Sequence, residues 1–230
     1  MEPLQQRIQT IEEKISQACE RAGRNRDDVT IIAVTKQVSE ERARDVLDAG
    51  MLHLGENRPE GLLAKQHAIP QGAVWHFIGN VQSRKVKDII ERIDYLHSLD
   101  RMSIAKEIQK RAVEPVDCFV QVNVSGEDSK SGMTPEETEE FVSALRDYDK
   151  IRVIGLMTMA PLTEDQEVIR DVFKRLRILR DQLAAKKMQH APVTKLSMGM
   201  SNDYSIAIEE GATHVRIGTA LVGSESEGDG

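Results

Sequence analysis

Thr30-Ile31-Ile32-Ala33-Val34-Thr35-Lys36 is a nearly unbroken run of apolar and β-branched residues that ends in a lysine. Such a run is too short for a helix and is typical of a parallel strand that is buried on both faces. Alternation places Lys36 on one face with Ile32 and Val34, at the carboxyl end of the strand, where α/β folds build their sites. Lys36 therefore has two interpretations: a lysine that emerges into solvent, or a partly desolvated amine that can attack a carbonyl.

The same unit of strand and helix recurs along the whole chain. Further strands are predicted at residues 53–57, 74–79, 95–98, 116–124, 151–159, 196–200 and 214–219, with helices between them. One helix, from Leu4 to Ala22, precedes the first strand. Eight strands that alternate with helices predict an α/β protein formed by a single (β/α)₈ TIM barrel with an extra N-terminal helix. A doubly wound open sheet is the alternative.

Several residues mark helix ends. Gly23 is placed to end the first helix, and Ser39 precedes a helix whose first turn holds two glutamates. Thr134 with Glu137 and Thr163 with Gln166 have the spacing of capping boxes. A continuous helix is expected around residues 82–92.

Composition narrows the classes of function. The chain has 230 residues and a net charge of −7, which argues against nucleic-acid binding. No stretch is apolar enough for a membrane span, and Cys19 and Cys118 lack metal or redox spacing, so we expect a cytoplasmic protein with reduced cysteines. Residues 1–223 are expected to form the barrel domain and residues 224–230 a disordered acidic tail; the expected state is a monomer.

The six histidines predict no metal site. They show neither HxxxH nor HExxH spacing, which zinc sites on helices use. His76 and His97 fall near predicted strand ends, where they could contact a ligand or be hydrogen-bonded core residues.

The last two predicted strands carry the parts of a phosphate site. Barrels often bind phosphate with the loops after strands seven and eight. Ser197-Met198-Gly199-Met200-Ser201-Asn202-Asp203 supplies a glycine, hydroxyls and a helix start, and Arg216-Ile217-Gly218-Thr219 supplies a second glycine and a hydroxyl. Each segment alone could be ordinary loop geometry, but the two together favour a phosphate ligand.

A phosphate site opposite Lys36 indicates a ligand with a phosphate at one end and an aldehyde at the other. Pyridoxal 5'-phosphate (PLP) has both groups, and Arg216 is placed to face its ring nitrogen. A permanently charged arginine can only donate a hydrogen bond to that nitrogen.

Motifs along nearly the whole chain resemble the pyridoxal phosphate homeostasis protein family, also called the YggS/PROSC family. They are Ala33-Val34-Thr35-Lys36, His53-Leu54-Gly55-Glu56-Asn57, Trp75-His76-Phe77-Ile78-Gly79, residues 121–132 (QVNVSGEDSKSG), Gly155-Leu156-Met157-Thr158-Met159-Ala160, Leu196-Ser197-Met198-Gly199-Met200-Ser201-Asn202-Asp203 and His214-Val215-Arg216-Ile217-Gly218-Thr219.

This resemblance implies a barrel like that of alanine racemase and a role in intracellular PLP homeostasis, without an established turnover reaction. It implies PLP held as an internal aldimine on Lys36, with Asn57 nearby and the ring nitrogen facing Arg216. The implied phosphate contacts are Ser201, Gly218 and Thr219. PLP-dependent apoenzymes are the implied partners. The chain departs from the family at Gln37-Val38-Ser39, where many relatives have Thr-Lys-Pro after the Schiff-base lysine.

Two enzymatic alternatives stay open at this point. A PLP-dependent amino-acid racemase needs a second base, for which Tyr204 is the tyrosine to test, although packing is the simpler role for this residue. A Schiff-base aldolase would use Lys36 without a cofactor. Lys130 is either a secondary amine for PLP or an exposed loop lysine.

Overall fold

The computed structural model describes residues 3–127 and 131–223. The expectations for Lys130 and for the tail at residues 224–230 fall outside the described residues.

Eight parallel strands close into a barrel in chain order, with each strand hydrogen-bonded to the next and the last to the first. The strands are β1 (Thr30–Val34), β2 (His53–Glu56), β3 (Val74–Phe77), β4 (Tyr95–Leu99), β5 (Val116–Gln121), β6 (Ile151–Met157), β7 (Lys195–Met200) and β8 (His214–Ile217). The predicted (β/α)₈ barrel is confirmed, and the open-sheet alternative is wrong because β1 pairs with β8.

Helices connect the strands on the outside. They are α1 (Leu4–Ala22), α2 (Glu40–Asp48), α3 (Pro59–Ala68), α4 (Val86–Ile89), α5 (Met102–Arg111), α6 (Pro135–Ala144), α7 (Gln166–Ala185), α8 (Tyr204–Glu209) and α9 (Thr219–Val222). None of the helices within residues 3–127 and 131–223 has the length and hydropathy that crossing a membrane requires.

Most predicted helix ends are confirmed, with two exceptions. Gly23 adopts a left-handed conformation after α1, Ser39 accepts a hydrogen bond from Arg42, and Thr134 forms a capping box with Glu137. The cap of α7 is Asp165 rather than Thr163, since its carboxylate accepts from two backbone N–H groups of the first turn. The helix predicted over residues 82–92 is a 3₁₀ turn at Ser83–Lys85 followed by the single turn of α4.

β1 ends at Val34, two residues before the predicted end. Thr35 still donates its N–H to the Gly55 carbonyl of β2, but the chain then turns, and Val38 N–H bonds back to the Thr35 carbonyl. Lys36 therefore lies in the turn after β1, at the C-terminal end of the barrel.

The apolar core lies mainly between the strands and the helices. Alternate strand residues such as Ile31, Ala33 and Trp75 pack there with the buried faces of the helices. The other face of each strand points into the barrel, where Phe119, Ile154 and Met157 form a separate small cluster. Much of the remaining interior is polar, which distinguishes this barrel from those filled by branched aliphatic side chains.

Candidate functional site

Lys36 is exposed at the C-terminal mouth of the barrel. Of the two interpretations, the structure favours a lysine that emerges into solvent, because β1 ends early and the turn carries Lys36 out of the sheet. Its position is set by Thr35, which is fully buried and bonded to β2 through its backbone. The turn therefore presents an accessible amine next to a residue that the barrel holds in place.

A buried ion pair lies directly beneath this turn. The Glu56 carboxylate, at the end of β2, accepts a 2.6 Å hydrogen bond from the Thr35 hydroxyl and lies 2.8 Å from the Lys65 ammonium of α3. Both charged side chains are less than a tenth exposed. A buried pair is costly to break from one side, since the remaining charge is left without a partner. The pair therefore fixes Thr35 and, through it, the start of the Lys36 turn.

Asn57 follows Glu56 at the same rim and is half-buried. Its backbone lies against Gly79 so closely that a Cβ at position 79 would come within 2.1 Å of the Asn57 carbonyl oxygen. Only glycine allows this contact between the loops after β2 and β3. Gly79 thus helps to place Asn57 on the Lys36 side of the mouth.

The predicted phosphate loops meet at the ends of β7 and β8. Gly218 donates its backbone N–H to the Ser201 hydroxyl oxygen at 3.3 Å. Thr219 follows Gly218, is exposed and begins α9. In the loop after β7, the Asp203 carboxylate accepts a 2.6 Å bond from Met200 N–H. The structure therefore brings Ser201, Gly218 and Thr219 together, as the sequence predicts.

Arg216 enters the barrel interior from β8 and is only 5% exposed. Its guanidinium donates one bond to the Ser197 hydroxyl oxygen, at 2.5 Å, and another to the Thr158 carbonyl, at 3.1 Å. Burial lowers the pKa of Arg216 to about 10, and the Asp203 carboxylate opposes this shift. The group is therefore a cation at neutral pH. Register pairs Arg216 with Ile32 of β1, on the strand that leads to Lys36.

Three histidines extend the polar interior from Arg216 toward the opposite end of the barrel. Ser197 Oγ lies 2.8 Å from His97 Nδ1, His97 Nε2 lies 2.9 Å from His76 Nδ1, and His76 Nε2 lies 2.9 Å from His53 Nδ1. We call Ser197, His97, His76 and His53 the histidine chain. Its bond from β4 to β7 joins strands that are not neighbours, so the bond crosses the barrel interior.

The interior histidines favour their neutral forms. Burial lowers the pKa values of His76 and His97 well below the usual range, with smaller contributions from nearby histidines and, for His97, from Arg216. Burial also lowers the pKa of His214 to about 3, helped by His53, Lys195 and Arg216. A neutral imidazole has one donor and one acceptor nitrogen, as a continuous hydrogen-bond chain requires.

His76 and His97 are therefore hydrogen-bonded core residues, the second of the two interpretations. Their rings also stack on aromatic neighbours: His76 on Tyr95 and His97 on Phe119, each with centroids 4.4 Å apart. Within the described ranges, no group of three or more His, Cys, Asp or Glu side chains is arranged to hold a metal ion.

Sequence reasoning missed the residues that support the site. These are Ser197, Thr158, Glu56, Lys65 and Gly79. The alternation of Ser197 with Leu196 and Met198, which pack in the apolar core outside the barrel, could have indicated an inward hydroxyl, but its bond to His97 depends on barrel closure. Tyr204 is 5% exposed and packs in the core, as its packing interpretation predicts.

Solved structures with the same fold include one that contains bound PLP. PipY of Synechococcus elongatus PCC7942, solved with PLP bound, is 28% identical, with a TM-score of 0.79 over 93% of this chain and 100% of that chain. Alanine racemase from Corynebacterium glutamicum has a TM-score of 0.66 over 92% of this chain and 59% of that chain; at 18% identity this shows the fold alone.

Sequence comparison gives a closer relation. The family described as "Alanine racemase, N-terminal domain" matches residues 7–226. The pyridoxal phosphate homeostasis protein of Aquifex aeolicus (strain VF5) is 41% identical over 222 residues, which cover 95% of this chain and 96% of that protein. This chain therefore belongs to the pyridoxal phosphate homeostasis protein family, whose barrel is an alanine racemase N-terminal domain.

Proposed function

We propose that this chain binds PLP covalently through Lys36 and serves intracellular PLP homeostasis as a carrier or reservoir. The observation that carries the proposal is the placement of three groups at one end of the barrel. Lys36 follows β1, Arg216 lies on the neighbouring β8, and the Ser201–Gly218 contact lies just beyond Arg216. Membership of the family supports the same function.

The residues fit the chemical groups of PLP. The aldehyde requires an amine, and Lys36 is exposed at the mouth. The phosphate requires hydroxyls and backbone N–H groups, which the loops with Ser201, Gly218 and Thr219 supply. The ring nitrogen requires a partner, and Arg216 is a buried cation that retains further N–H donors beyond its bonds to Ser197 and Thr158.

Each residue then has a separate task. Lys36 would hold PLP through its side-chain amine, and PLP would supply the aldehyde with which that amine combines. Arg216 donates a hydrogen bond and holds no proton that it can give to the ring nitrogen. Ser201, Gly218 and Thr219 bind the phosphate, while Asn57 borders the ring from the β2 side.

Trapping of the adduct tests this proposal. Purified protein mixed with PLP should develop a visible absorption band, and borohydride reduction followed by peptide mass mapping should place a pyridoxyl group on Lys36. Lys36→Ala should lose both signals. Lys195→Ala is the matched control, because Lys195 is an exposed lysine at the opposite end of β7 and should leave both signals unchanged.

A pyridoxyl group on another residue, or on none, would contradict the proposal. A protein that stays colourless with PLP yet forms a Lys36 adduct with a simple sugar aldehyde would support the aldolase alternative. The racemase alternative is not favoured, because Tyr204 is buried among core residues and the named relatives are homeostasis proteins.

We also propose that the chain acts as a cytoplasmic monomer that passes PLP to apoenzymes. The exposure of Lys36 supports release, since an acceptor amine can reach the attachment point. Cys19 and Cys118 are both free and buried, as expected in a reducing compartment. Sedimentation of the purified protein tests the monomer, and activation of a PLP-free decarboxylase by the loaded protein tests transfer.

A further inference from the structure

The histidine chain ends at Arg216, the residue assigned above to the ring nitrogen of PLP. We propose that every hydrogen bond of the histidine chain is donated in the same direction, from Arg216 toward His53. Ser197 and His97 are then positioning residues for Arg216. This inference rests on the proposed function, because it concerns the group that meets the cofactor ring. It goes beyond that function by assigning tasks to side chains that lie inside the barrel.

The polarity follows from the donors and acceptors at Ser197. An arginine side chain has only donors, so Ser197 Oγ must accept the 2.5 Å bond from Arg216. The serine O–H is then available to donate, and His97 Nδ1 lies 2.8 Å from the serine oxygen. Donation by Ser197 satisfies both groups at once. His97 must then carry its own proton on Nε2.

The same reasoning passes along the chain. His97 Nε2–H donates to His76 Nδ1, which makes His76 a second Nε2–H tautomer. His76 then donates to His53 Nδ1. His53 is half-buried and borders a surface cleft that also contains Asp27 and Leu52. Each nitrogen that faces another member thus has a partner of the correct type.

The surroundings keep the members neutral, as this order requires. A protonated imidazole has two donors and no acceptor, so it would interrupt the chain. Around His97 lie His76, His214 and the Arg216 cation, all of which oppose a further positive charge. Around His53 lies Asp94, which favours the charged form, but burial has the larger effect.

Arg216 is held from two sides by this arrangement. Ser197 accepts from one terminal nitrogen, and the Thr158 carbonyl accepts from the other. Thr158 is itself fixed, because its N–H donates to the Ser197 carbonyl at 3.1 Å. Loss of the Ser197 hydroxyl should therefore free one end of the guanidinium without removing its charge.

Nitrogen NMR of the protein without PLP tests the polarity. In protein labelled with ¹⁵N-histidine, His53, His76 and His97 should all be neutral and protonated on Nε2. Ser197→Ala should shift the His97 signals and, to a smaller extent, those of His76. Ser197→Thr retains a hydroxyl and should restore the pattern. A wild-type His97 that carries its proton on Nδ1, or on both nitrogens, would overturn the proposal.

Binding of two cofactors tests the positioning. Ser197→Ala should weaken PLP binding about tenfold, in line with the loss of one hydrogen bond to a charged group. It should leave unchanged the affinity for deaza-PLP, in which a C–H group replaces the ring nitrogen. Ser197→Thr should bind PLP like the wild type. Equal weakening toward both cofactors would show a general structural effect and would overturn the positioning role.

His214→Gln is the matched control. His214 is as buried as the chain members and packs against the rings of His76 and His97, but its Nδ1 faces the Thr213 hydroxyl instead. It should preserve the PLP to deaza-PLP affinity ratio. If the proposed function fails, no pyridoxyl group will be found on Lys36. The histidine tautomers are measured without cofactor, so they test the direction of the hydrogen bonds whether or not PLP binds.

Discussion

Lys36 and Arg216 lie on two sides of the barrel mouth, and the protein holds these two side chains differently. On the lysine side, Lys36 itself is exposed, and the ordered groups are the buried Thr35, Glu56 and Lys65 beneath it. On the arginine side, Arg216 is itself buried and bonded at both terminal nitrogens. Under the proposed function, the group that would react with the ligand and release it is accessible, whereas the group that would orient the ligand is immobilised.

The largest effect is expected when the buried ion pair on the lysine side is broken. Glu56→Gln leaves the Lys65 ammonium buried without a counter-charge, so the free energy of unfolding should fall by about 3–5 kcal/mol. Urea unfolding followed by circular dichroism measures this change. Lys36→Ala, at an exposed position, is the comparison and should alter stability by no more than about 0.5 kcal/mol.

A double variant sharpens this test. Replacement of both charges, in Glu56→Gln with Lys65→Met, should recover a large part of the lost stability, because no buried charge remains unpaired. If the single variant Glu56→Gln were as stable as Lys36→Ala, the ion pair would not support the Lys36 turn, and the contrast between the two sides would be lost.

A smaller effect is expected from close packing on the arginine side. Gly199 on β7 and Gly50 after α2 both have φ of +95°, but they differ in their surroundings. A Cβ at Gly199 would meet Ala207 Cβ at 2.6 Å and Tyr204 Cα at 2.9 Å, whereas at Gly50 it would meet nothing within 4 Å. Gly50→Ala should therefore cost only backbone strain, about 1–2 kcal/mol.

Gly199→Ala should cost about 1–3 kcal/mol more than Gly50→Ala, because overpacking adds to the same strain. It should also weaken PLP binding, since α8 would move relative to the Ser201 loop. The two unfolding midpoints, measured side by side, check the difference. Equal destabilisation would mean that α8 yields freely and that the arginine side is less rigid than we infer.

The smallest expected effect is the loss of folding stability per pH unit as the pH is lowered. His214 has a folded-state pKa of about 3, against about 6.5 in the unfolded chain. Protons therefore bind preferentially to the unfolded state between these values, and stability that is complete above pH 6.5 declines as the pH falls toward 3. His214 should therefore contribute a slope of about 1.4 kcal/mol per pH unit in this range.

Comparison of wild type with His214→Gln isolates one histidine. Between pH 6 and pH 5, the free energy of unfolding of the variant should fall less steeply, by about 1.4 kcal/mol. Parallel pH profiles for the two proteins would show that His214 is not kept neutral by the fold. Lys36→Ala should follow the wild-type profile, because acid acts through the interior histidines of the arginine side.

The sequence predicted the barrel because its evidence is local. Alternation of strands and helices, and caps such as Gly23, Ser39 and Thr134, depend on near neighbours in the chain. The strand ends were less accurate: β1 reads as continuous to Lys36, but a bond from Val38 to Thr35 turns the chain. The short α9 and the true cap of α7, Asp165, were also missed.

For the site, the sequence identified the residues that would meet a ligand but not those that hold them. The structure gathers Ser201, Gly218 and Thr219 and places Arg216 nearby; their contacts with PLP stay a prediction, as do those of Lys36 and Asn57. The bond between His97 and Ser197 joins residues 100 positions apart. No spacing of residues in one sequence predicts this contact, because the contact depends on how eight strands close into a barrel.

The same bond has a geometric consequence for the mouth. His97 and Ser197 belong to β4 and β7, which are three strands apart around the barrel, and a 2.8 Å hydrogen bond fixes the distance between them. A protein that widened or narrowed at this level would have to give up that bond. The diameter of the opening above this bond is therefore set before any ligand binds. We expect the strands to keep the same spacing when the ligand leaves.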